Sequence, residues 1–242
     1  MQKRILSIYV NLQDRELNLP DYLDRKHLII SICPYSIIGG TFSDKGIEQV
    51  KKLLGRFGVS LGQRGYLGRC KCSHDDGTDP WHENFCLYNE TINLEDQLDF
   101  MIKGKDVLTK TFGIEPLIYA PINHLYDDNT IKAAQILKYR FMMDQNNIGP
   151  ELRPYEKHEI VIIPEASIEK EGTLESVAFY THVGHLESEF YEVVKYIQGH
   201  KYISPLGVAP TKIPIDILRI NEIKKRIKKL ERDERKLKGF AC

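Results

Sequence analysis

Val59-Ser60-Leu61-Gly62-Gln63-Arg64-Gly65-Tyr66-Leu67-Gly68 begins as a short apolar run and breaks off into glycines and polar residues. The pattern predicts a buried strand over Val59–Leu61 whose C-terminal end opens into a long loop. That loop, Arg69 to Cys86, gathers Cys70, Cys72 and Cys86 with His74, His82 and a run of acids (Asp75, Asp76, Asp79, Glu83). In α/β folds, chemistry collects where strands end in loops, so this junction is the first place to look for a site.

Working outward, short apolar strands alternate with helical segments. Arg4–Val10 and His27–Cys33 read as strands, the second ending at Pro34-Tyr35 and a glycine-containing loop through Gly40. Ser43 is placed as the N-cap of a helix over Asp44–Phe57, with Ile47, Val50, Leu53 and Leu54 on one face. A helix from Asn93 to Phe112 follows, with Gly113 where a C-terminal glycine is expected. Then come a strand at Leu117–Ala120, a helix from Asp127/Asp128 to Leu137, and strands at Tyr139–Met143, Ile160–Ile163 and Val177–Thr181. A helix at Glu187–Gln198 and a strand at Lys201–Ser204 complete the series. Such alternation predicts parallel βα units, and seven or eight strands over this length suit a barrel better than an open sheet. The expected organisation is one α/β domain over residues 1–210 and a helical tail over 211–242.

Composition narrows the class. Apolar residues at 42% and charged residues at 28% are ordinary for a globular chain, and a formal net charge of zero offers no global attraction to nucleic acid or an anionic membrane. No apolar run approaches a membrane span, and the Met1–Val10 segment reads as a first strand rather than a signal peptide. Five cysteines without a secretory signal predict reduced thiols and a cytoplasmic location. In the tail, Ile213, Ile220, Ile223, Ile227, Leu230 and Leu237 keep a three-four spacing among lysines, arginines and glutamates. That spacing fits an amphipathic helix packed on its own domain, or a short helix pair joining a homodimer.

The order of pieces resembles the polysaccharide deacetylase (NodB homology) superfamily. The resemblance rests on Ile32-Cys-Pro-Tyr35, Gly62-Gln-Arg-Gly-Tyr66, Glu83-Asn-Phe85, Phe112-Gly113 with Tyr119-Ala-Pro121, Asp128-Asn-Thr-Ile131 and Tyr180-Thr-His182. It implies a deformed (β/α)7-type barrel and a metal-dependent hydrolase that removes acetyl groups from amino sugars. It also implies a divergent member. Where the family writes His-x-x-x-His, this chain has Arg64-Gly-Tyr-Leu-Gly68, and the first-strand aspartates fall near Asn11-Leu12 with Asp14 displaced. The segment around Tyr119-Ala-Pro-Ile122 lacks the family's arginine, while the late histidine has its counterpart in His182. A guanidinium stays protonated and offers no lone pair, and glycine has no side chain, so the family's metal site cannot be assembled from these positions.

If the strand ends converge, they present Asn11, Tyr35, Arg64, His124, Asp144, Glu165, His182 and His185. Arg64 and the histidines suit a carboxylate- or phosphate-bearing sugar, and Glu165 with His182 suits an acid–base pair. Trp81, beside Tyr66, suits stacking on a sugar ring. Separately, Cys70, Cys72, His74, His82 and Cys86 supply enough thiolate and imidazole for a tetrahedral zinc, although the spacing is not that of a standard finger. A Cys72–Cys86 disulfide or incidental reduced thiols fit the same residues. The acids from Asp75 to Asp79 suit a harder cation or a solvated turn. Two functions follow as expectations: a carbohydrate-active hydrolase with a rebuilt site, or a catalytically degenerate binding or assembly protein.

Overall fold

The computed structural model describes residues 5–17, 19, 23, 27–67, 92–144, 155–167, 178–183 and 186. Eight strands form one sheet: β1 (Ile5–Val10), β2 (Leu28–Ile32), β3 (Val59–Arg64), β4 (Ile118–Ala120), β5 (Phe141–Asp144), β6 (Tyr155–Lys157), β7 (Ile160–Ser167) and β8 (Ala178–His182). Parallel pairing runs β1–β2–β3–β4–β5–β7–β8, and β8 pairs back onto β1. Seven parallel strands therefore make a ring, the deformed (β/α)7 barrel expected from the alternation. The ring is irregular at β7, whose first residues pair with β5 and β6 and whose last residues pair with β8. Among the described residues no helix is long and apolar enough to cross a membrane.

Alternation along each strand sorts side chains between two cores. Ile5, Tyr9, Ile29, Ile118, Ala120, Phe141, Met143, Ile163, Ala178 and Tyr180 fill the inside of the ring. Leu6, Ile8, Val10, Leu28, Ile30, Ile32 and Leu61 face outward, where Val50, Leu53, Leu108 and Phe112 of the helices cover them. Both faces of these strands are buried, which is why they read as near-continuous apolar runs.

The helices are α1 (Pro34–Ile38), α2 (Asp44–Leu54), α3 (Leu94–Phe112) and α4 (Asp128–Ile136). Ser43 caps α2 by accepting from Gly46 N, as expected, and Asn93 caps α3 by accepting from Asp96 N. Gly113 ends α3 in the left-handed conformation at φ 71°. Asp127 and Thr130 bond reciprocally at the start of α4, satisfying two otherwise orphaned backbone donors.

Four local expectations are corrected. The segment after β2 is not a plain loop through Gly40: Pro34 opens a helical turn, its fixed φ suiting a first helical position. Helix α2 stops at Leu54 rather than Phe57, because Gly55 closes it and Phe57 swings out to 95% exposure. Strand β3 does not break at Leu61 but runs on to Arg64. Gly62 belongs inside it because a Cβ there would sit 2.3 Å from Ser31 Oγ on β2. Strand β6 escaped the sequence pattern altogether. Its two-residue turn into β7 is His158-Glu159, with φ of 48° and 62°, a conformation usually signalled by Asn-Gly.

The expected Arg69–Cys86 loop, Glu187–Gln198 helix, Lys201–Ser204 strand and 211–242 tail lie outside the described residues.

Candidate functional site at the strand ends

Because the seven ring strands are parallel, their C-terminal ends share one mouth. The alternation that buries Tyr9 and Tyr180 in the ring carries Ser7, Ser31, Arg64, Glu165 and His182 to the same inner side. Tyr9 is the centre of what results. Its hydroxyl donates to Glu165 Oε1, its ring stacks on Tyr180 at 5.1 Å, and the Arg64 guanidinium lies 4.0 Å from its centroid.

A second chain of contacts crosses the mouth from β3 to β8. Arg64 Nε donates to Asn11 Oδ1 at 3.0 Å, and Asn11 Nδ2 meets His182 Nδ1 at 2.7 Å. A guanidinium only donates, so the Asn11 oxygen must face Arg64 and the amide NH₂ must face the histidine. His182 Nδ1 is then the acceptor, and in the neutral ring the proton resides on Nε2. Asn11 is itself held by its backbone N–H donating to Asp14 Oδ2 at 2.6 Å.

His124 enters from the turn at Ile122–His124, directly after β4 and Pro121. Asn123 and His124 both take positive φ, 49° and 57°, a strained backbone for side-chain-bearing residues. The strain delivers the imidazole into the ring, where Nδ1 lies 3.4 Å from Glu165 Oε1 and the side chain is 5% exposed.

Burial sets the charges. Desolvation pushes the fully enclosed Glu165 carboxyl well above its ordinary range, with the Ser7 hydroxyl acting in the opposite sense. Desolvation, then the charges of Arg64 and His182, holds His124 well below its ordinary value. Burial thus favours the protonated form of Glu165 and the unprotonated form of His124 across their 3.4 Å approach. Arg64 is lowered to about 10 by burial, which leaves it charged at neutral pH. Among the described residues, Arg64 Nη1, both His124 nitrogens, Glu165 Oε2 and the Ser31 hydroxyl are buried without hydrogen-bond partners. Native interiors leave few such groups, and a cluster at one end of a barrel marks a place built to meet something else.

Of the residues singled out from sequence, Asn11, Arg64, His124, Glu165 and His182 come together. The imidazole beside Glu165 is His124, not His182, since register places His182 against Tyr9 and hands it to Asn11. Asp144 is the last residue of β5 and is buried, in alternation with Met143. Tyr35 stands on α1 at 44% exposure, and Tyr66 turns toward Phe100 of α3. Trp81, His185, Cys70, Cys72, His74, His82 and Cys86 lie outside the described residues. Tyr9 and Tyr180 were missed, although Ser7, Tyr9 and Asn11 alternate in Ile5–Asn11 and so share one face.

No metal is accommodated at the positions the resemblance implied. Asn11 and Arg64 occupy them, joined to each other, and among the described residues no three His, Cys, Asp or Glu side chains cluster as ligands. The guanidinium places a fixed positive charge where the resemblance calls for a cation.

No family model matches the chain, and none of the curated proteins matches it. Solved structures do. A 4-alpha-glucanotransferase from Thermococcus litoralis superposes with a TM-score of 0.55 at 11% identity, over 87% of this chain and 41% of that one. A Mycobacterium smegmatis protein provisionally named a polysaccharide deacetylase gives 0.53 at 12% identity, over 81% of this chain and 78% of that one. The Bc1960 peptidoglycan N-acetylglucosamine deacetylase gives 0.52 at 14% identity, over 88% of this chain and 90% of that one. The chain therefore has the barrel fold of the polysaccharide deacetylases, and it shares that fold with a glucanotransferase.

Proposed function

We propose that the protein is a carbohydrate-active hydrolase that cleaves the amide C–N bond of an N-acetylated amino sugar, using a rebuilt, metal-free site at the mouth of the ring. The observation that carries this reading is the Glu165–His124 pair. Two titratable groups 3.4 Å apart are driven by burial into the forms a hydrolysis needs, a protonated acid and an unprotonated base. Water adds to the acyl carbon and gives a proton to His124. The C–N bond breaks as the amine nitrogen takes a proton from the Glu165 carboxyl. Proton transfer across the pair then restores both groups. The N–H of His182, set on Nε2 by Asn11, supplies a donor for the acyl oxygen as it gains charge.

Release of acetate from N-acetylated oligosaccharides, measured with and without a chelator, tests this. Turnover that survives chelation and drops by about 10²-fold or more in both Glu165→Gln and His124→Ala is the expected result. Turnover abolished by the chelator and untouched by Glu165→Gln sinks the metal-free mechanism.

The alternative is a carbohydrate-binding or assembly protein that keeps the barrel without catalysis. It is favoured by the replacement of metal ligands with Asn11 and Arg64 and by the complete burial of Glu165. Sugar binding with no acetate release above background establishes it. In either case the partner is a carbohydrate. Zinc bound by Cys70, Cys72, His74, His82 and Cys86, and a homodimer through the tail, stand as separate proposals. Metal content of Cys72→Ser and sedimentation of the chain truncated after residue 210 check them.

A further inference from the structure

We infer that the mouth of the barrel is an anion site, with Arg64 taking a carboxylate or phosphate carried by the sugar. Arg64 is 5% exposed, and among the described residues no acidic side chain pairs with it. The groups whose charge acts on it are Cys33, Tyr180 and Tyr119, a thiol and two phenols rather than a carboxylate. Nε is spent on Asn11 and the face of the guanidinium on Tyr9, while Nη1 is buried with no acceptor. A buried cation normally carries a counter-charge, because desolvating it alone is costly. Here two acids at the strand ends are engaged elsewhere. Glu165 is turned to Tyr9 and His124, and Asp14 is turned to the backbone of Asn11. The remaining groups are neutral or donors, so the described mouth holds a positive charge that none of its described acidic side chains offsets. An oxyanion on the ligand supplies that counter-charge and an acceptor for Nη1.

The geometry also fixes what kind of recognition this is. Asn11 and the Tyr9 ring lock the guanidinium in place, so little rotamer freedom remains to be lost on binding. Lysine at the same position would keep the charge without the fork or the bond to Asn11. The preference for an anion rests on Arg64, and the sugar that bears it rests on the carbohydrate reading above.

Calorimetric titration of the full chain with N-acetylglucosamine, N-acetylmuramate, N-acetylglucosamine 6-phosphate, inorganic phosphate and chloride is the test. At least one of the two charged sugars is expected to bind about tenfold or more tighter than the neutral one, the equivalent of one charge-assisted hydrogen bond. Whichever charged sugar wins identifies the source of the oxyanion. Arg64→Met is expected to erase the preference and Arg64→Lys to retain part of it, with melting curves confirming that each variant folds. Equal affinity for charged and neutral sugars, or a preference that survives in Arg64→Met, overturns the inference. Binding of phosphate or chloride as tight as that of any charged sugar means an adventitious ion only, and overturns it too. Because the readout is binding, absence of turnover leaves this result intact.

Discussion

Gln63 and Arg64 are neighbours on β3, yet they belong to opposite kinds of environment. Gln63 faces outward under α3, where its NH₂ donates to Met101 O at 3.2 Å and its oxygen accepts from the Tyr139 hydroxyl at 2.5 Å. Gly104 of α3 leaves room for it, since a Cβ there would lie 2.3 Å from Gln63 Nε2. The same satisfaction continues along the helices, where Gln97 bonds Asp127 and Ile92 and accepts from Thr130. Arg64, one residue on, faces inward among groups left without partners. Polar groups that close on each other hold helices to a barrel. Polar groups that stay open, at the end where strands finish, are the ones the proposed ligand would meet. Hydrogen-bond satisfaction separates the two where burial does not, because both sets are buried.

The largest expected effect is on the closed side. Gln63→Leu strands the Tyr139 hydroxyl and the Met101 carbonyl in the interior and should lower stability by about 3 kcal/mol in urea denaturation. A loss below about 0.5 kcal/mol would mean the network is not structural. Arg64→Met should have the opposite sign, a gain of about 1–2 kcal/mol, because it removes an unpaired buried charge and keeps apolar bulk over Tyr9. A substantial loss there would show that the guanidinium is already compensated, and the contrast between the two sides would collapse.

The next effect is a pH slope. Glu165 binds its proton more tightly folded than unfolded, so its contribution is intact below the ordinary 4.5 and is lost as pH rises toward its folded value. His124 binds its proton less tightly folded, so its contribution is intact above 6.5 and is lost on acidification below that. Melting temperature in the wild type should therefore carry a limb that falls as pH rises toward the folded value of Glu165, and Glu165→Gln should flatten that limb. An unchanged limb would mean that Glu165 is ionised and the open side carries an internal counter-ion.

The smallest effect lies at the outer edge, where Asp128 pairs with Lys157 and approaches His158 and Lys132. Burial pushes the Asp128 carboxyl up, but the hydrogen bond and charge of Lys157, aided by His158 and Lys132, outweigh it and leave it lowered. Its contribution is present above its ordinary value and disappears as pH falls through the folded one. The group is largely solvated, so Asp128→Asn should cost below about 1 kcal/mol, visible as a shallower acid limb in a melting series.

Much of the scaffold was legible because its determinants are local. Ser43, Asn93 and Gly113 mark helix ends through bonds to residues three or four positions away. What was illegible depended on distant partners or on unusual backbone. Strand β6 hid behind a turn made by His158 and Glu159 rather than glycine, and the helical turn at Pro34 behind a segment with no room for periodicity. At the site, the replacement of metal ligands by Asn11 and Arg64 could be read directly from residue identity. Which imidazole lies beside Glu165 could not, because two histidines were available and nothing in the chain between them ranks one over the other.

Most of the described strands and helices, the residues that cap the helices, and the chemical impossibility of a metal on Arg64 were set by the chain alone. These follow from side-chain chemistry and from periodicities that repeat within a few residues. Folding added that Tyr9 reaches Glu165 across 156 residues and that Asn11 joins Arg64 to His182. Those outcomes depend on the register with which seven strands close into a ring, and a shift of one residue in any strand would send its side chains to the other face.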